Sequence, residues 1–143
     1  MPKSFTEAER EEFLAGDHIA VVSVAADDGR PPMAFPIWYE YTSGGDFLIN
    51  TGAATRKARL IEQSGAVTLT IQRGTLPYQY VIVEGTVTEA VTPSPFEARE
   101  GIAVRYLGPE SGRAFAENAD GDQAVLFTIR PDRWSTKDYS GEV

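Results

Sequence analysis

Hydrophobic and polar positions along this chain switch between strand and helix periods, with clear punctuation at each switch. Thr6 and Glu9 form a capping box and Gly16 supplies a stop, which predicts a first helix over about 7–15. His18-Ile19-Ala20-Val21-Val22-Ser23-Val24-Ala25 is β-branched and nearly all apolar, the pattern of a strand buried on both faces. Asp27-Asp28-Gly29 turns it into a second strand over about 33–41 that carries Phe35, Trp38, Tyr39 and Tyr41. Pro36 has no N–H for a ladder, so this strand must be an edge, bulged or opened at that point. A turn at Ser43-Gly44-Gly45-Asp46 leads to a short third strand over 47–50, which runs directly into a helix capped by Thr55 and ended near Gly65.

The fourth strand, 66–72, alternates Val67, Leu69 and Ile71 against Thr68, Thr70 and Gln72. A connection over 73–77 joins it to a long fifth strand over 78–91. Ser94 and Glu97 satisfy a capping box with Pro95 at the first helical position, predicting a helix to about 107, and Gly108-Pro109 separates it from a shorter helical stretch through 116. A loop over 118–122 precedes the last strand, 124–129. Six strands with helices inserted after the third and fifth predict a mainly β fold, a small antiparallel barrel, as a single domain over 1–143.

Charge and composition narrow the chemistry. The 143 residues carry a net charge of −8, which argues against a broad basic surface for nucleic acid. With no cysteine there is no thiol catalysis, no Cys-based zinc site and no disulfide framework. The single histidine, His18, excludes a two-histidine metal site, and no metal is expected. Asp120-Gly121-Asp122 lacks the spacing and terminal Glu of a calcium loop and reads as a solvated turn. The first residues lack a basic-then-apolar leader and no apolar run is long enough to span a bilayer, so a cytoplasmic, membrane-free protein is expected. Glycine-rich dinucleotide, phosphate-loop lysine and nucleophile-elbow motifs are all missing.

Against the acidic background, Arg56, Lys57 and Arg59 stand out. They fall in the first turn of the helix capped by Thr55, where the macrodipole is positive and cations are disfavoured. An anion docked there removes the conflict. Free backbone N–H groups, the cations and the Thr51 and Thr55 hydroxyls together compose a phosphate site.

The ordered set Pro36-Ile37-Trp38-Tyr39, Phe47-Leu48-Ile49-Asn50-Thr51, Thr55-Arg56-Lys57-Ala58-Arg59-Leu60, Val67-Thr68-Leu69 and Val83-Glu84-Gly85-Thr86-Val87 resembles the split-barrel flavin and deazaflavin reductases, the group related to pyridoxamine 5′-phosphate oxidase, over about 5–134. The resemblance implies a six-stranded FMN-binding-type split barrel that forms a homodimer with a cofactor at each interface site. It implies a cofactor phosphate held by Arg56, Lys57 and Arg59, a ring lying against Pro36, Ile37 and Trp38, and backbone groups of Ile49, Asn50 and Thr51 lining the same slot. The namesake oxidases carry an Arg-Leu-x-Pro-type element near the C-terminus, for which only Ile129-Arg130-Pro131 stands here, so oxidation of pyridoxamine phosphate is not expected. Short members of the group are more similar, and many use coenzyme F-420 in place of FMN; Arg73 and Arg133 are candidates for the acidic tail of F-420.

The activity so implied is hydride transfer between the cofactor ring and an unsaturated small organic substrate, with the cofactor carrying the chemistry. Tyr78, Tyr80 and Tyr106 are candidate proton donors, although an aromatic in such a setting is more often a packing residue. A non-catalytic protein that sequesters the cofactor, and a structural dimer whose pocket has decayed, are the alternatives. Cofactor titration separates all three.

Overall fold

The computed structural model describes residues 1–142. Four helices, α1 (Glu7–Leu14), α2 (Arg56–Ser64), α3 (Phe96–Leu107) and α4 (Pro109–Asn118), surround seven strands: β1 (Ala20–Val24), β2 (Met33–Ile37), β3 (Glu40–Tyr41), β4 (Phe47–Gly52), β5 (Ala66–Gln72), β6 (Gln79–Val91) and β7 (Ala124–Asp138). All seven lie in one antiparallel sheet in the order β2-β1-β5-β6-β7-β4-β3. The fold is mainly β, a half-barrel with helices, but the expected six strands are seven and the sheet is open.

The extra strand comes from the predicted run over 33–41, which breaks at Trp38 and Tyr39 into β2 and β3 at opposite edges of the sheet. Tyr39 causes the break. Its ring is fully buried, its hydroxyl donates to Leu14 O at 2.9 Å, and its N–H leaves the ladder to donate to Tyr106 Oη at 3.1 Å. Pro36, opposite Val21, lies on an edge strand, where its missing N–H costs no ladder bond. The two edges are therefore joined by the covalent chain and not by hydrogen bonds, and a gap remains between β2 and the distal half of β4.

Thr6 caps α1 with the reciprocal capping box, and Thr55 caps α2 by accepting from Ala58 N, with Gly65 in the left-handed conformation at the end. Three expectations are corrected. Ser94 does not cap α3: Pro95 holds the N-cap position without a side-chain bond, while buried Ser94 donates its N–H to Ala124 O at 3.0 Å. The last strand continues past 129 through Pro131 to Asp138, because a register shift opposite Glu84 and Gly85 absorbs the proline. A Cβ at Gly85 would meet Ile129 Cγ2 at 2.5 Å, so only glycine admits this crossing. Finally, the first predicted strand is not buried on both faces: Val21 of β1 is 40% exposed, and Ile19 just before it is 44% exposed.

The core fills the concave face with Val22, Phe47, Ile49, Leu69, Ile71, Val83, Phe127 and Ile129, closed by Leu14 of α1 and Leu60 and Ile61 of α2. Among the described residues no helix is long and apolar enough to cross a membrane. One polar clasp ties α1 to the β3–β4 turn. Glu11 accepts from Tyr41 Oη at 2.9 Å, Ser43 Oγ at 3.0 Å and Gly44 N at 2.6 Å. Although burial pushes its carboxyl up, these bonds and Arg10 outweigh burial and hold it below the ordinary glutamate range. A depressed carboxyl contributes stability above the unfolded-state value, and that contribution fades as pH falls through the folded one. Glu11→Gln is therefore expected to lower the thermal midpoint at pH 7 and to flatten the loss of stability below about pH 4.3, as followed by circular dichroism.

Candidate functional site

The basic turn is built by its cap. Thr55 Oγ1 donates to Gly52 O at 2.7 Å and accepts from Ala58 N at 3.2 Å, which sets Arg56 and Lys57 at the first two helical positions, where backbone N–H groups have no intrahelical partner. Both side chains reach across to β2. Lys57 Nζ lies 4.9 Å from the centre of the Phe35 ring, and Arg56 Nη1 lies 3.5 Å from Met33 Sδ. Arg56 Nη2 is buried without a hydrogen-bond partner. Arg59 Nη1 instead donates to Asp27 Oδ2 at 2.7 Å, and this bond holds the Asp27 carboxyl below its ordinary value.

At the other end of β2 a cavity of about 300 Å³ opens between the sheet and the α3–α4 pair. Ile37, Trp38 and Asn50 form its sheet side, and Ile102, Phe115 and Ala116 its helical side. Trp38 stacks on Tyr106 at 4.9 Å and tilts against Phe115 at 5.5 Å. Asn50 Oδ1 is buried and has no hydrogen-bond partner. The four residue steps from Met33 to Ile37 separate the two ends by roughly 13 Å. Two buried polar atoms that lack partners thus lie near opposite ends of β2, Arg56 Nη2 by Met33 and Asn50 Oδ1 at the cavity beside Ile37, a cost that a ligand bearing polar groups at both ends would relieve.

Residues 6–138 match the family model described as pyridoxamine 5′-phosphate oxidase. The chain belongs to the pyridoxamine 5′-phosphate oxidase family. No protein of curated function matches the sequence. Among solved structures, a conserved hypothetical protein from Mycobacterium tuberculosis is 21% identical with a TM-score of 0.78, covering 94% of this chain and 86% of that one. An F420 reductase is 22% identical with a TM-score of 0.69, covering 87% and 94%. The heme storage protein HutZ from Vibrio cholerae is 14% identical with a TM-score of 0.69, covering 92% and 94%. At these identities the likeness is one of fold.

Within this pyridoxamine 5′-phosphate oxidase fold the expected site residues separate into groups. Arg56, Lys57 and Thr55 stand together at α2, and Ile37, Trp38 and Asn50 stand together at the cavity. Ile49 is fully buried in the core and Thr51 nearly so, and neither lines the cavity, while the Pro36 side chain lies on the exposed face of β2. Neither Arg73, beside His18 at the far side of α1, nor exposed Arg133 lines the cavity. His18 stacks on Phe13 at 4.2 Å, a structural role.

The tyrosine candidates do not line the cavity either. Tyr106 Oη donates to His18 O at 2.7 Å and accepts from Tyr39 N, so it braces Trp38 from behind. Tyr78 packs on Tyr139 at 5.1 Å and on Tyr80 at 5.7 Å, away from the slot. Sequence reasoning missed Arg99, Ile102, Phe115 and Ala116, because nothing in α3 or α4 distinguishes a cavity wall from an ordinary helix face. It also missed Asp27, an ordinary hairpin residue until folding brings it to Arg59.

Proposed function

We propose that this chain is an oxidoreductase that binds FMN or F-420 and passes a hydride between the cofactor ring and an unsaturated small organic substrate. The observation that carries this is the pair of partnerless buried atoms, Arg56 Nη2 and Asn50 Oδ1, near the two ends of β2 in a family member. Arg56 and Lys57 hold the phosphate, with the first N–H groups of α2 adding to their field. The unpartnered Oδ1 of Asn50 is an acceptor for a ring N–H. Trp38, Ile37 and Phe115 cover the ring end and exclude water. The bound cofactor supplies the hydride chemistry, and the chain supplies position and a dry wall.

A homodimer with a cofactor at each interface belongs to the same proposal, supported by the exposed apolar side chains of Ile19 just before β1, Val21 on β1 and Phe115 on α4. A second reading, storage of the cofactor without turnover, is favoured by one observation: no carboxylate, histidine or tyrosine lines the cavity among the described residues. A structural neighbour of the same fold is described as a heme storage protein.

Titration of the purified protein with FMN and, separately, with F-420 tests the proposal by absorbance and fluorescence. Saturable binding of either, followed by reduction of an added acceptor, supports the enzyme. Binding without turnover supports storage, and binding of neither refutes both. Trp38 is half-buried, so Trp38→Ala is expected to cost only about 1–2 kcal/mol of stability, below the range for a fully buried aromatic, while cofactor affinity falls at least tenfold. Paired denaturation and titration curves check this, and a loss confined to stability would remove Trp38 from the site.

A further inference from the structure

The cations at α2 do not meet a ligand on equal terms, because one internal anion already stands beside two of them. Asp27 Oδ2 accepts from Arg59 Nη1 at 2.7 Å, and Asp27 Oδ1 stands 3.9 Å from Arg56 Nη2, beyond hydrogen-bond reach. Arg59 is completed further by Gln63 Oε1 at 3.4 Å. Arg56 Nη2 is therefore compensated in charge yet left without a bond, and Lys57 has only an aromatic face beside it. The carboxylate is held in place by its hairpin: Arg30 N donates to Asp27 O at 3.1 Å, and Asp28 and Gly29 follow with φ of 56° and 69°.

We propose that Asp27 is a specificity-determining internal anion, which takes Arg59 out of the phosphate site and biases the remaining Arg56–Lys57 pair toward a singly charged phosphodiester over a doubly charged phosphomonoester. The assignment rests on the cofactor site proposed above. Three cations would suit a dianion, but the carboxylate cancels one of them and repels every negative charge brought near. Coulomb repulsion scales with ligand charge, so a monoester near pH 8, with its second proton lost, is penalised about twice as much as a diester. At the phosphate itself F-420 is a singly charged diester and FMN a doubly charged monoester, so Asp27 separates the two cofactors by the phosphate charge that each brings to α2.

The test removes the charge and keeps the hydrogen-bond acceptor. Wild type, Asp27→Asn and Lys57→Ala are titrated at pH 8 with riboflavin, the singly charged methyl ester of FMN, and FMN itself. Asp27→Asn is expected to leave riboflavin affinity within twofold, tighten the methyl ester about threefold and tighten FMN about tenfold, as for one unit charge roughly 6 Å away in water-like screening. Thermal unfolding confirms that the variant is folded. If Asp27→Asn leaves FMN affinity unchanged or weakens it while Lys57→Ala still lowers it, the Asp27 assignment is overturned and the phosphate site stands. A Lys57→Ala variant that binds FMN as wild type does overturns the Arg56–Lys57 pair as the phosphate holder, and the Asp27 assignment with it, while the phosphate site as a whole falls only if Arg56→Ala also binds as wild type does. Should no flavin bind, the same comparison with F-420 and its phosphate-free deazaflavin alcohol decides: tightening of F-420 alone supports the assignment, and no tightening overturns it.

Discussion

Phe47→Ala is expected to destabilise the protein by about 3–5 kcal/mol, the range for truncating a fully buried aromatic. Phe47 has no exposed surface and packs against Tyr41 at 4.5 Å, Tyr39 at 5.6 Å and Trp134 at 6.1 Å. It thus binds β4 to the very segment whose departure from the ladder opens the slot. On the gap side β4 is held by only two pairs, Glu40 with Leu48 and Tyr41 with Phe47, while six pairs join its other edge to β7. Against a typical total of about 5–15 kcal/mol, such a loss should displace the denaturation midpoint plainly. Urea unfolding followed by tryptophan fluorescence measures it. A change below about 1 kcal/mol would mean that the aromatic cluster is not the anchor of β4.

Lys57→Ala and Arg56→Ala are expected to behave in the opposite way, each weakening cofactor binding by about 1.5–3 kcal/mol, or roughly ten- to hundredfold, with little effect on unfolding. The reason lies in what each side chain now does for the fold. Lys57 rests over one aromatic ring, and Arg56 spends one nitrogen on a thioether and leaves another without a partner. Neither completes a buried network whose loss would be felt in the free protein. Isothermal titration of both variants with FMN and F-420 gives the affinities, and thermal unfolding gives the control. Wild-type affinity in both variants would refute the phosphate role.

Much of this arrangement was legible along the chain because it is local. The Thr6 and Thr55 caps, the Gly65 stop and the cations displaced into a positive helix end each depend on residues within one helical turn, where spacing alone sets geometry. Pro36 signalled an edge, a bulge or an opening because a missing N–H has the same consequence in any sheet, and the strand order makes it an edge. Ser94 misled for the same local reason: its spacing to Glu97 suits a capping box, but a backbone bond to Ala124 from a distant strand took the residue away from that role.

By itself, then, the sequence determined the strand and helix periods, the mainly β class, the capped basic turn and the resemblance to the pyridoxamine 5′-phosphate oxidase family. Tertiary structure alone decided that the run over 33–41 splits into two edge strands, since burying Tyr39 against Leu14 outweighs continuing the ladder. It also decided which cations remain open, by bringing Asp27 to Arg59 across 32 residues, and it built the cavity wall from helices that carry no local mark of that role. These outcomes depend on contacts between residues far apart in sequence, and the local pattern holds no information about which distant partner will close them.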